Sequence, residues 1–479
     1  MRDYILLYIN GTEHRIKGEQ VFLPITDYLR YDKALCGTKV VCAEGDCGAC
    51  TVLVGRAEDG SNLVYRALNA CIQFVYQLDC SHVITVEGLT LDGELNAVQE
   101  SMVNCHGAQC GYCTPGFVVA LCGMFDAHEH VDRALVKEEL TGNLCRCTGY
   151  EFIVKAALEI DQTKIFRANQ QYPAAPYIKA FKEQASNPVL IDSGLRTFFG
   201  PTNVGDAVRF KAEHPETVIV AGGTDVSVNM NKRAFAPSVV MCTTQLPGLD
   251  QIRTVDGVVE VGARVNLRDL ELYMRDLIPE FYKMLWIFGS PQIRSAGTLA
   301  GNIANASPIG DTIPFLMVAD AEVEVTGVEG SRRINLNQLY KGYKILALKA
   351  DEIITRIFIP VPEPTDVLKI YKVSRREHLD ISTFSAAIRV VKDGNKIKSA
   401  SIAYGGVGPV VVRLKKTEQF LQGKEFDFQT FASAGKMAKE EVTPISDVRG
   451  SSDFRFQLAE NIMLKFFYET ADERALSCL

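Results

Sequence analysis

At 479 residues the chain should hold about three domains with substantial cores. A formal charge of −7 argues against nucleic acid or an anionic membrane as the main partner. No stretch nears the ~20 apolar residues that span a bilayer, and the apolar run 4–9 is too short for a signal peptide, so a soluble, cytoplasmic protein is expected.

The opening reads as a β-hairpin: residues 4–9 and 12–16 flank Asn10-Gly11, a type I′ turn signal. Thr26 is the expected N-cap of a short helix ending near Leu35. Of 14 cysteines, 12 precede residue 150, and in a reducing compartment such crowding points to metal. Cys42, Cys47, Cys50 and Cys71 follow the C-x4-C-x2-C…C spacing of plant-type [2Fe–2S] ligands. Gly45 and Gly48 let the loop curl with its N–H groups turned inward, toward sulfur. A zinc site and a disulfide pair are the alternatives for this quartet. Strands near 52–54 and 83–86 complete a small sheet gripping one helix.

From Asn96 the pattern turns helical. Pro115 opens a helix that is apolar on nearly all sides, a second helix runs 132–140 behind the N-cap candidate Asp132, and a third holds Ile153, Ala156, Ala157 and Ile160 on one face. Cys110 and Cys113 precede the first of these and Cys145 and Cys147 the third, so both pairs are expected at helix N-termini. By spacing alone this second quartet fits zinc as well as iron–sulfur. Cys36, Cys80, Cys105, Cys122, Cys242 and Cys478 are left over, and most of them are expected to be buried apolar thiols.

Residues 166–194, with Pro173, Pro176 and Pro188 and weak periodicity, read as a linker over the surface. After Pro201 short β and helical runs alternate. A strand over 217–221 runs into Gly222-Gly223-Thr224-Asp225, where backbone amides can approach a diphosphate; alone it is most often a plain turn. The stretch 295–311 is rich in small and hydrogen-bonding residues, as a loop laid against a cofactor would be. A proline-rich break at 360–364 precedes two strands (386–391, 399–404) and two helices (428–441, 453–468).

The two cysteine sets, with Gln109-Cys110-Gly111-Tyr112-Cys113-Thr114-Pro115-Gly116 and Gly142-Asn143-Leu144-Cys145-Arg146-Cys147-Thr148-Gly149-Tyr150, resemble the iron–sulfur portion of the molybdenum hydroxylases, which include xanthine dehydrogenase and aldehyde oxidase. Stretches 217–226 and 295–311 resemble the family's FAD domain. The resemblance implies a multidomain α+β chain. Its parts would be a β-grasp ferredoxin-like [2Fe–2S] domain (1–88), a helical-bundle [2Fe–2S] domain (89–165), the linker, an α+β FAD-binding domain (195–365) and a small α+β C-terminal flavoprotein domain (366–479).

Residue by residue, the resemblance implies that Ile219, Val220, Ala221, Gly222, Gly223, Thr224, Asp225 and Val226 hold the FAD diphosphate. Phe288, Gly297, Thr298, Gly301, Asn302, Asn305 and Asp311 would line the adenosine and ribityl regions, with Ile354 as an apolar contact. Lys372 matches a lysine near the isoalloxazine; beside Arg375 and Arg376 it reads equally as a solvated basic patch. Gln109 and Cys147 would lie close to a molybdopterin on a partner chain.

The implied role is the electron-transfer subunit of a xanthine dehydrogenase-type enzyme, passing electrons through two [2Fe–2S] clusters to FAD and on to NAD⁺. A large molybdenum-binding subunit would complete an α2β2 heterotetramer, with no nucleic acid and no membrane involved. No catalytic residue is expected here, since none of the seven histidines sits in a recognisable constellation. The alternatives are the same role in an aldehyde or other N-heterocycle hydroxylase, or a non-catalytic FAD/iron–sulfur redox sensor or assembly protein.

Overall fold

The computed structural model describes residues 1–58, 60–90, 93–233 and 235–471; Cys478 lies outside them. Contacts divide the chain into two units, Met1–Pro247 with Gly289–Gly297, and Gly248–Phe288 with Thr298–Leu479. Among the described residues no helix is long and apolar enough to cross a membrane.

In the first unit β1 (Ile5–Ile9) and β2 (Thr12–Ile16) form the expected hairpin, with Asn10 and Gly11 both at positive φ (48° and 86°) as a type I′ turn requires. With β3 (Thr51–Ala57), β4 (Leu63–Asn69) and β5 (Ser81–Ile84) they make a five-stranded sheet ordered β2-β1-β5-β3-β4. The short helix begins at Ile25 behind Pro24, not behind Thr26, which is buried inside it. The Ile25 N–H is already met by the Gln73 carbonyl (2.7 Å), so no side-chain cap is needed there.

Helix Thr114–Ala127 lies on β3 through two glycines. A Cβ on Gly116 would sit 2.2 Å from the Gly48 carbonyl oxygen, and one on Gly123 would sit 2.9 Å from a Leu53 methyl. Helices Ala97–Asn104, Arg133–Glu139 and Glu151–Leu158 complete the region, capped by Asn96 and Asp132 at the first two.

Segment 166–194 is not a surface linker. It folds into helices Ala168–Gln171 and Ala174–Gln184 and strand β6 (Val189–Asp192), and buries Tyr177, Ile178 and Phe181. Pro173 occupies the N-cap and Pro176 the first turn, where a missing N–H costs nothing, so these prolines start a helix. β6 joins β7 (Thr197–Gly200), β8 (Val218–Val220) and β9 (Val239–Cys242) in a sheet ordered β6-β7-β9-β8.

Tyr177 stacks on His82 (centroids 4.7 Å apart), whose Nε2 accepts from Gly11 N–H (3.1 Å) and whose Nδ1 lies 2.6 Å from Tyr65 Oη. Burial pulls His82 down to about 4, so the folded ring stays neutral while the unfolded one protonates near 6.5. Its stabilisation is therefore complete above pH 6.5 and is lost as pH falls toward 4, by up to about 3 kcal/mol. Urea midpoints taken between pH 7 and pH 4.5 should fall more steeply for the wild type than for His82→Gln.

In the second unit β10 (Ile252–Val255), β11 (Val258–Gly262), β12 (Glu322–Gly327) and β13 (Gly330–Asn335) precede a small pair, β14 (Tyr340–Gly342) and β15 (Ile345–Leu346). With β16 (Ile353–Pro360) the first four form a sheet ordered β10-β11-β16-β12-β13. Antiparallel β17 (Val367–Val373), β18 (Phe384–Asp393), β19 (Lys396–Gly405) and β20 (Val412–Arg413) follow. Helices Phe428–Glu440 and Ser452–Thr470 pack over this last sheet through a core that includes Phe431, Phe466 and Phe467.

Candidate cluster and flavin sites

The loop carrying Cys42, Cys47 and Cys50 turns through three positive-φ residues, Ala43, Gly45 and Gly48 (55°, 78°, 68°). Cys71 arrives on a separate 3-10 turn, Ala70–Ile72, that follows β4. The four sulfurs converge: Cys42 contacts Cys47 and Cys71, and Cys71 contacts Cys50. Thiols this close cannot all ionise, so hydrogen bonds from Cys47 and Cys71 pull Cys42 far down while Cys71 is pushed far up. The backbone N–H groups of Glu44 and Asp46 also point at Cys42 Sγ. An all-sulfur donor set met by inward N–H groups fits a [2Fe–2S] cluster.

Cys113 is the N-cap of helix Thr114–Ala127, as expected. The second pair departs from expectation: Glu151–Leu158 begins four residues past Cys147, after Gly149 and Tyr150 at positive φ. The helix end is replaced by local donors, with Thr148 N (3.4 Å) and Oγ1 (3.1 Å) on Cys145 Sγ. Cys110 and Cys147 sulfurs are 3.6 Å apart, and Cys113 reaches Cys145 and, pressed by burial, is pushed up to about 12. These residues too fit a [2Fe–2S] cluster. Gln109, Cys110 and Cys147 are exposed, among exposed Tyr112, Leu144, Tyr150 and Phe152. Among the described residues no group of three or more His, Cys, Asp or Glu side chains is arranged for a single metal ion.

The two cysteine loops touch. Leu144 N–H donates to the Cys47 carbonyl (2.9 Å) and Asn143 Nδ2 to the Gly48 carbonyl (3.1 Å). A Cβ on Gly48 would lie 2.3 Å from the Gly142 oxygen, so glycine is required by contact as well as by φ. Spacing predicts neither bond, because both depend on which loops the fold brings together.

In the same unit, β8 leads into Gly222-Gly223-Thr224-Asp225 and helix Val226–Lys232. Gly223 has φ 74°, and a Cβ on Gly222 would strike the Ala296 carbonyl at 1.8 Å, which brings Gly222 against Ala296-Gly297. In the second unit Thr298 caps helix Leu299–Asn305 by accepting from Gly301 N–H (3.0 Å). Asn302 Oδ1 accepts from Thr312 (2.6 Å), and Asn305 Oδ1 from Lys344 (2.7 Å).

Lys372 is not on a solvated patch. Its side chain is 2% exposed and pairs with Asp311, which also accepts from Ser382. Arg376 stays on the surface and pairs with Asp380. Phe288 and Ile354 are half-buried in this unit, Ile354 on β16. Small residues, amide and hydroxyl groups and one buried cation fit a dinucleotide's phosphates and polar edges.

Three family models match in order along the chain: "[2Fe-2S] binding domain" at 85–158, "FAD binding domain in molybdopterin dehydrogenase" at 193–362, and "CO dehydrogenase flavoprotein C-terminal domain" at 369–470. Xanthine dehydrogenase 1 of Arabidopsis thaliana is 30% identical over 96% of this chain and 39% of its own length. Aldehyde oxidase 3 of Rattus norvegicus is 26% identical over 98% of the chain and 39% of its own. The chain thus spans about two fifths of the length of these curated relatives.

Among solved structures, a reconstituted CO dehydrogenase from Oligotropha carboxidovorans is similar (TM-score 0.54, 28% identity), covering 57% of this chain and 96% of that one. Quinoline 2-oxidoreductase from Pseudomonas putida 86 gives a TM-score of 0.53 at 26% identity, with 57% and 95% covered. Paired cysteine quartets with these domains define a protein class built to hold [2Fe–2S] clusters and FAD. The chain belongs to the molybdenum hydroxylase family, as its [2Fe–2S] and FAD-bearing part.

Proposed function

We propose that this chain is the electron-transfer subunit of a cytoplasmic xanthine dehydrogenase, oxidising purines (xanthine and hypoxanthine to urate) with a large molybdenum-binding partner in an α2β2 assembly. Clusters at the two quartets would carry single electrons between a partner molybdopterin and FAD, which would deliver pairs to NAD⁺. The observation that carries the reading is the direct hydrogen bond from Leu144 N–H to the Cys47 carbonyl, which couples the two quartets through one short covalent and hydrogen-bonded path. The exposed edge at Gln109, Cys110 and Cys147, with its apolar surround, supports a partner docking beside the second quartet.

In this reading 1–88 is the β-grasp ferredoxin-like domain, 89–165 the helical-bundle domain, and 195–365 with 366–479 the flavoprotein part. Ile219 to Val226, Phe288, Gly297, Thr298, Gly301, Asn302, Asn305, Asp311, Ile354 and Lys372 would be the FAD contacts. The residues' own work is to bind, orient and exclude water. Their backbone amides and Thr224 would meet phosphate, and the buried Lys372 would bring positive charge.

Similarity to aldehyde oxidase 3 supports a second reading, the same role with an aldehyde as substrate. Co-purification with the large chain and assay with xanthine and with aldehydes separates the two. Urate formation coupled to NAD⁺ reduction is the expected result. Aldehyde oxidation without urate would favour the second reading, and a purified chain without flavin would overturn both.

A further inference from the structure

Two peptide units of the first cysteine loop aim N–H groups at one sulfur, those of Glu44 and Asp46 at Cys42 Sγ. In a planar trans peptide the preceding carbonyl points the opposite way. The carbonyls of Ala43 and Gly45 must therefore turn away from the sulfur, and each is held by a side-chain amide. Asn231 Nδ2 donates to Ala43 O (3.0 Å) and to Cys71 O (2.8 Å), while Asn69 Nδ2 donates to Gly45 O (2.7 Å). Ala43 has φ 55°, unfavourable for alanine, so its peptide needs an external hold. Asn231 lies on helix Val226–Lys232, just past Gly222-Gly223, and Gln73 Nε2 donates to Gly222 O (3.2 Å). One carboxamide thus joins both ligand-bearing segments to the helix after the glycine loop.

We propose that Asn231 is a positioning residue for the first quartet: by holding the Ala43 and Cys71 carbonyls it aims the Glu44 N–H at Cys42 Sγ and fixes Cys71 relative to the loop. Asn69 acts in the same way on the Gly45–Asp46 peptide. The proposal rests on reading Cys42, Cys47, Cys50 and Cys71 as [2Fe–2S] ligands. An N–H directed at a ligand sulfur stabilises the added negative charge of the reduced form, so losing it makes the cluster harder to reduce. Lys232, on the same helix and 3.8 Å from Glu44, is a suitable control because both side chains are part-exposed and their ion pair is screened by solvent.

The test uses the full chain with Asn231→Leu, the isosteric but donor-free Asn231→Asp, and Lys232→Ala, each titrated with dithionite and followed by electron paramagnetic resonance. At a fixed potential the reduced-to-oxidised ratio of the first cluster should fall by about tenfold in both Asn231 variants. The second cluster's ratio should stay at the wild-type value, and Lys232→Ala should move neither. First-cluster ratio and line shape at wild-type values in both Asn231 variants would overturn the proposal. So would loss of both clusters together, which assigns Asn231 a general folding role. A wild-type chain lacking two such signals would instead overturn the ligand reading itself.

Discussion

Replacing Cys71 by alanine should remove about half of the iron and one of two paramagnetic signals, leaving the other unchanged. Cys71 is 2% exposed and touches both Cys42 and Cys50, so it closes the first quartet from the side opposite the loop. The second quartet offers no spare thiol, since it is drawn from Cys110, Cys113, Cys145 and Cys147 and closes on itself through Cys110–Cys147 and Cys113–Cys145. The loop would also lose its reason to hold Ala43, Gly45 and Gly48 at positive φ. The control is Cys242→Ala: Cys242 is buried on β9, hydrogen-bonds to Thr244, and should leave iron content intact. Iron and absorbance spectra of the three proteins decide the matter. Unchanged iron in Cys71→Ala would sink the ligand assignment.

What the sequence disclosed follows the range of the interactions involved. The hairpin at Asn10-Gly11, the N-cap at Asp132 and the glycines at 45 and 48 are local choices of backbone angle or cap, and each falls where its residue type requires. The grouping of the cysteines into two converging quartets is legible because their spacing is itself a local code within each loop.

Segment 166–194 differs from the linker its sequence suggests because Pro173 and Pro176 look the same whether they interrupt a chain or start a helix; only the burial of Tyr177, Ile178 and Phe181 decides it. Asn69 and Asn231 carry no signal at all in one dimension. Asn231 is 160 residues from Cys71 in sequence, and its role exists only once the helix after β8 is laid against Ala43 and Cys71. The second quartet shows the same limit, as Thr148 does the work expected of a helix end.

Lys372 fits both a solvated basic patch and a buried cation by sequence, and it is where the next large effect is expected. Lys372→Met should destabilise the second unit by about 3–5 kcal/mol, because it leaves Asp311 buried without its cation. Both side chains are nearly sealed, at 2% and 7% exposure, and Ser382 Oγ supplies Asp311 with only a neutral hydrogen bond. A surface lysine in a basic patch would instead change stability by no more than about 0.5 kcal/mol. Arg376→Ala provides that comparison, since its pairing with Asp380 is half-exposed on the arginine side.

The double variant Lys372→Met with Asp311→Asn removes both charges and should recover much of the loss, a coupling that urea denaturation in a double-mutant cycle measures. Flavin content read in the same samples then separates two roles. Recovered stability with FAD still missing makes the Lys372 charge a cofactor contact. Recovery of both makes the pair a structural tie between β17 and the loop after Asn305.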